Sequence, residues 1–194
     1  MPSDAVKQGF FAFTRKGFSE KRDFSEALKI ITAINAKPGA LCQCVDARLV
    51  AGKNHAVHAA RLCLEAFRNG ENHVQKKELE FLLWISGKRN IENAMRAFGI
   101  KGKKEIFVVS ASTKSRNEAA KAMKRVCAEL NLWHSEKRGK GAKEKRNRGA
   151  AKIRKIMEFY GIPERGLEAF PEESRENVVE KLVLEKIALL GLEA

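Results

Sequence analysis

The chain has 194 residues, 44% of them apolar and 32% charged, with a formal net charge of +14. That balance excludes wholesale disorder, and a chain this long buries a sizeable core without disulfide or metal staples. The excess of 38 Lys and Arg over 24 Asp and Glu favours polyanionic partners, RNA or DNA first, through long-range attraction and counterion release; a merely solvated basic surface is the plain alternative.

In chain order, Phe10, Phe11 and Phe13 suggest a short strand between Gly9 and Gly17. Helical spacing begins near Asp23 or Ser25, with Leu28, Ile31 and Ile34 turned inward beside Ala27. Lys37-Pro38-Gly39 breaks it, Ala40 to Val45 reads as a strand, and Asp46 opens a turn ending at Gly52. A helix from Lys53 or Asn54 to Phe67 carries Ala56, Ala60, Cys63, Leu64 and Phe67 on one face and closes at Asn69-Gly70. A second runs from about Gln75 to Ile85, with Leu79, Leu82 and Leu83 inward. Asn90 is placed to cap a third, bearing Ile91, Ala94, Met95 and Phe98. The linking Ser86-Gly87-Lys88-Arg89 makes the pair a compact helical corner. Glu105 to Ser110, with Ile106 to Val109 unbroken, predicts a strand buried on both faces, and Ser115 to Leu130 a helix. The fold expected is α/β (α+β), a single domain over 1–194 in which a small mixed or antiparallel sheet packs against several helices.

Charge is unevenly spread. Residues 134–155 hold ten Lys or Arg and two Glu, and 135–148 lack any large apolar side chain. This predicts a basic loop or insertion at about 132–148. Helical pattern resumes at Ala150 with Ile153, Ile156, Met157 and Tyr160, and stops at Gly161-Ile162-Pro163. Residues 156–194 hold nine Glu against four Lys or Arg. Their last helix, about Glu176 to Leu190, is expected to be acidic and amphipathic and to face a protein.

Recognisable catalytic spacings are missing. His55 and His58, three apart on a helix, are the slender basis for a metal-dependent hydrolase, with no HExxH pattern and no third ligand. Gly99 to Lys104 follows a helix and precedes a strand, the reverse of a P-loop, and no GxSxG elbow occurs. Asp46 reads as a cap rather than a proton-transfer group. Cys42 and Cys44, in one strand, are read as facing opposite sides and unable to share a metal; Cys63 and Cys127 fall at helical core spacings. With no disulfide framework, secretory signal or membrane-length apolar run, free thiols in a reducing cytoplasm are expected. No catalytic residue, metal or cofactor is expected.

Three features point to recognition. The first is Arg48, Lys53, Asn54, His55 and His58, where a helix N-terminus offers N–H groups to phosphate. The second is Lys88, Arg89 and Asn90, the last either capping its helix or contacting a base. The third is the basic segment with Lys137, Arg138, Lys140, Lys143, Lys145, Arg146 and Arg148, suited to auxiliary RNA contact without sequence preference. Trp84 reads as packing, and Trp133 as the better base-stacking candidate.

A wider pattern runs through the chain: Val45-Asp46-Ala47 with Gly52, His55-Ala56 through Ala60, Glu78 to Leu83, Ser86 to Ile91, Ala94, Phe98-Gly99-Ile100, Ile106 to Val109, Tyr160-Gly161-Ile162 and Val183 to Leu189. In this order the pieces resemble the small kinase-binding subunit of the KEOPS (EKC) complex, in its archaeal form. The resemblance implies a non-catalytic subunit of the assembly that makes N6-threonylcarbamoyladenosine in tRNA. It would bind the kinase/ATPase subunit and capture tRNA by its 3′ CCA end. Carried onto this chain, it implies tRNA contact at Lys53, His55, Lys88, Arg89 and Asn90, and kinase contact at Leu182, Lys186, Leu189 and Leu190. The rivals are a free-standing RNA-binding or ribosome-associated protein, the hydrolase, and an oligomeric scaffold.

Overall fold

The computed structural model describes residues 10–21, 23–132, 142–168 and 170–190, with backbone alone over 142–148. Three strands, β1 (Phe11–Phe18), β2 (Ala40–Asp46) and β3 (Glu105–Ser112), form an antiparallel sheet in the order β1-β3-β2. The central strand is the apolar run, and every residue from Ile106 to Ser112 is buried, as a strand covered on both faces requires.

The pleat sorts side chains by parity. Leu41, Val45, Phe107 and Val109 face one core, built with α2 (Lys53–Asn69), α3 (Lys77–Ser86), α4 (Ile91–Phe98), α6 (Ala142–Tyr160), α7 (Arg165–Glu168) and α8 (Arg175–Leu190). Cys42, Cys44, Ile106 and Val108 face a second core, built with α1 (Ser25–Asn35) and α5 (Arg116–Glu129). This corrects the reading of Cys42 and Cys44: residues two apart in a strand share a side. All four cysteines are free and buried.

Two expected core positions are also corrected. Leu28 is 48% exposed and Met95 50% exposed. On α1 the inward face is Ala27, Ile30, Ile31 and Ile34, so Ile30 takes the place expected for Leu28 while the rest of the stripe stands. The expected basic loop is half wrong. Helix α6 starts at Ala142, so Lys143, Lys145, Arg146 and Arg148 are on helical backbone. Lys137, Arg138, Lys140, Trp133 and His134 lie outside the described residues. Lys, Arg, Glu and Ala are good helix formers even without an apolar stripe, and Ile153, Ile156 and Met157 further along anchor the helix.

Polar side chains close the outer edge of β2, which would otherwise present unpaired backbone groups. Asn35 accepts from the Cys42 N–H (2.7 Å) and donates to its carbonyl (3.0 Å). Gln43 accepts from the Cys44 N–H (2.7 Å) and donates to the Glu78 carbonyl (2.9 Å). Between α2 and α3, the fully buried Glu80 carboxylate accepts from the N–H groups of His73 (2.9 Å) and Val74 (3.0 Å) and from the Trp84 indole (2.9 Å). Trp84 is thus a packing residue, 6% exposed.

Candidate nucleic-acid interface

The helical corner is built locally. Gly87 takes a left-handed conformation (φ 61°) that ends α3, and the Lys88 N–H donates back to the Leu83 carbonyl at 3.3 Å. Gly87 also abuts other elements: a methyl group there would lie 3.6 Å from Ile187 of α8 and 3.9 Å from Tyr160 of α6. Asn90 then caps α4, its side chain accepting the Asn93 N–H at 3.0 Å. The corner presents Arg89 and Asn90 to solvent, with Lys88 half-buried. The Lys88 ammonium sits 5.2 Å from the centroid of the Phe159 ring, within cation–π range.

That ring brings two of the recognition features together. Phe159 lines a shallow pocket of about 450 Å³ with Arg48, Leu49, Lys155 and Glu158. Arg48 is fixed there by the buried Asp46: the Asp46 carboxylate accepts the Arg48 backbone N–H (3.0 Å) and pairs with its guanidinium (2.6 Å). Asp46 is therefore a turn and ion-pair residue, and its bonds raise the Arg48 pKa. Lys103 lies 3.9 Å from the same carboxylate. Lys152, one turn before Lys155 on α6, is half-buried. Burial first, then Lys16, brings its ammonium down to about 8, against the opposing pull of Glu105, Glu180 and Asp46.

His55 is corrected as a contact residue. It is fully buried, and both ring nitrogens are engaged: Nδ1 accepts the Ala51 N–H (3.1 Å), which leaves Nε2 to donate to the Ile85 carbonyl (2.9 Å). The Tyr160 hydroxyl donates to the same carbonyl at 2.6 Å. Burial is the main reason its pKa falls to about 4, so the ring is neutral at pH 7. His55 thus fastens the start of α2 to the end of α3, behind the corner rather than on it. Lys53 and Asn54 remain exposed, and His58 is half-buried with its pKa lowered mainly by desolvation.

The first turn of α2 is also not open to phosphate at His55. Its N–H donates to Glu180 of α8 at 3.0 Å, so a carboxylate from the same chain already answers the helix dipole. Gly52 makes room for it: a Cβ there would stand 2.3 Å from the Glu180 oxygen. Nothing local in the sequence marks this contact, because its partners lie 125 residues apart.

Helix α8 buries Val178, Val179, Val183 and Ile187. Of the residues expected to face a protein, Lys186 and Leu189 are exposed, Leu189 by 45%, whereas Leu182 and Leu190 are half-buried against the main core. The helix is not acidic: Glu176, Glu180 and Glu185 are balanced by Arg175, Lys181 and Lys186. The local negative charge lies before it, at Glu158, Glu164, Glu168, Glu172 and Glu173.

Among the described residues, no three His, Cys, Asp or Glu side chains converge as a metal site. No described helix is long and apolar enough to cross a membrane. A search among curated proteins gave no match. Residues 22–191 match the family described as kinase binding protein CGI-121, a span that includes the corner, the Arg48 turn, α6 and all of α8. The chain therefore belongs to the CGI-121 family, the non-catalytic, kinase-binding accessory subunits of the KEOPS (EKC) complex.

Proposed function

We propose that this chain recruits tRNA for threonylcarbamoylation by holding its 3′ CCA end at the helical corner, while α8 docks on the KEOPS kinase subunit. The observation that carries the reading is the meeting of Lys88, Arg48 and Lys155 around the half-buried Phe159 ring. Cations supply the attraction to phosphate, and an aromatic group beside them suits an unpaired base better than a duplex. Lys88, Arg89 and Lys53 serve as phosphate contacts. Asn90 acts through its cap, which sets the direction of α4. His55 acts from beneath, by fixing the corner. The Lys and Arg side chains at 137–148 add unspecific attraction. The protein's contribution is then positional: one end of the substrate is fixed, which raises its effective concentration at a distant active site.

The test compares binding of intact tRNA with tRNA lacking its 3′ CCA, at low and at physiological salt. A preference for intact tRNA that persists at the higher salt, and that K88Q/R89Q abolishes, is the expected result. Equal binding of both RNAs that collapses with salt would sink the end-specific site and leave a basic protein that binds RNA by charge alone.

A further inference from the structure

At the other end of α2 from the corner lies an open cleft of about 690 Å³. Helix α2 has 17 residues, so its two ends are about 25 Å apart. Its start is tied to the corner through His55 and Ile85, and Leu64, Phe67 and Arg68 near its end line the cleft. One wall is rigid. Gly39 adopts a left-handed conformation (φ 72°), and the Thr113 N–H donates to its carbonyl at 2.8 Å, which sets Lys114 at the rim.

The cations in this cleft divide into two kinds. The Lys77 ammonium donates to the carbonyls of Asn35 (2.8 Å), Lys37 (2.6 Å) and Ala40 (3.3 Å), so it serves the fold. Arg61, Arg68 and Lys114 are exposed, and none forms an ion pair with a carboxylate of the described residues. Among the described residues, Glu65 is the sole acid lining the cleft. The cleft's two aromatic rings are already covered: the Arg61 guanidinium lies 5.0 Å from the Phe10 centroid and the Lys77 ammonium 5.8 Å from that of Phe67. Cations without carboxylate partners suit phosphate, and contacts to phosphate carry no base information. Along α2, Asn54, His58, Arg61 and Arg68 follow helical spacing and share one side, joining this cleft to the corner.

We infer that the cleft is a second RNA contact, holding phosphates of the tRNA backbone through Arg61, Arg68 and Lys114 without reading bases. This rests on the reading that the chain binds tRNA, but not on where the 3′ end sits. The test is the full chain carrying R61Q/R68Q/K114Q, with Lys77 left intact because it holds the fold, and with thermal melts to show that the variant is folded. Affinity for intact and for CCA-trimmed tRNA should fall by the same factor, on the order of ten-fold or more at low salt. The slope of log affinity against log salt should shrink by about three, near one for each lost phosphate contact. Unchanged affinity and slope would overturn the inference, as would a loss confined to intact tRNA. If the triple variant weakens both RNAs while the wild type ignores trimming, the cleft stands and the end-binding site fails. If K88Q/R89Q abolishes end preference while the triple variant behaves as wild type, the reverse holds. A wild-type chain with no measurable tRNA affinity sinks both.

Discussion

His55 shows how a residue can belong to a functional pattern without touching a ligand. Its spacing to His58 suggests a metal pair, and its position at a helix start suggests a phosphate contact. Its burial and two ring hydrogen bonds give it a structural role instead. The reason was not legible, because its partners Ile85 and Tyr160 lie 30 and 105 residues away. The Asn90 cap was legible because it closes within three residues. A pH dependence follows. Since the folded pKa of His55 is about 4 against 6.5 for a free histidine, the unfolded chain takes up the proton first. Stability is complete above 6.5 and is lost as pH falls toward 4, by about 3 kcal/mol for this group. His58, also lowered, adds with the same sign. Urea unfolding across pH 4–7 should show the loss, and His55→Gln should remove most of it from a chain of lower starting stability; an unchanged slope in that variant would locate the effect elsewhere. The thiols offer a second check. Burial pushes Cys42 up to about 12, Cys44 and Cys63 well above the usual thiol value, and Cys127 upward. A thiol reagent at pH 8 should therefore titrate none of the four until denaturant is added; rapid labelling of the native chain would contradict the packing described.

At the scale of elements, short apolar runs marked β2 and β3, and helix breakers marked most ends. Side-chain facing was less secure at the edge of a stripe, where Leu28 proves exposed and Ile30 buried while Ala27, Ile31 and Ile34 face inward as expected. The start of α6 was missed because a charged run gives no apolar period even where its residues favour a helix. The junction of α2 with α8 was missed for a different reason: Gly52 looks like an ordinary turn glycine. Its lack of a side chain instead admits the Glu180 carboxylate. Glu180→Ala should cost about 1 kcal/mol, the usual loss for a helix cap. Gly52→Ala should cost more, because it displaces that carboxylate as well as crowding it. The double variant should recover part of the Gly52→Ala loss, and strict additivity in chemical denaturation would show that the two sites do not interact.

Across the whole molecule, one sheet separates two cores, and the proposed RNA surface and partner helix both belong to the larger one. Helix α8 packs Ile187 against Gly87 of the corner, holds α2 through Glu180, and leaves Lys186 and Leu189 in solvent. Leu189→Glu should weaken binding to the KEOPS kinase subunit about ten-fold or more in calorimetry, with melting temperature and tRNA affinity unchanged. Kinase binding at wild-type strength would move the docking face away from this end of α8. The cap on α2 also has a temporal side. In synthesis from the N-terminus, Glu180 emerges 125 residues after His55; at about 10 residues per second, α2 waits roughly ten seconds on the ribosome for the group that completes its first turn. A chain stopped before α8 would carry the whole corner sequence and yet lack the carboxylate that completes the first turn of α2, so the corner's supporting contacts are finished only once α8 has been made.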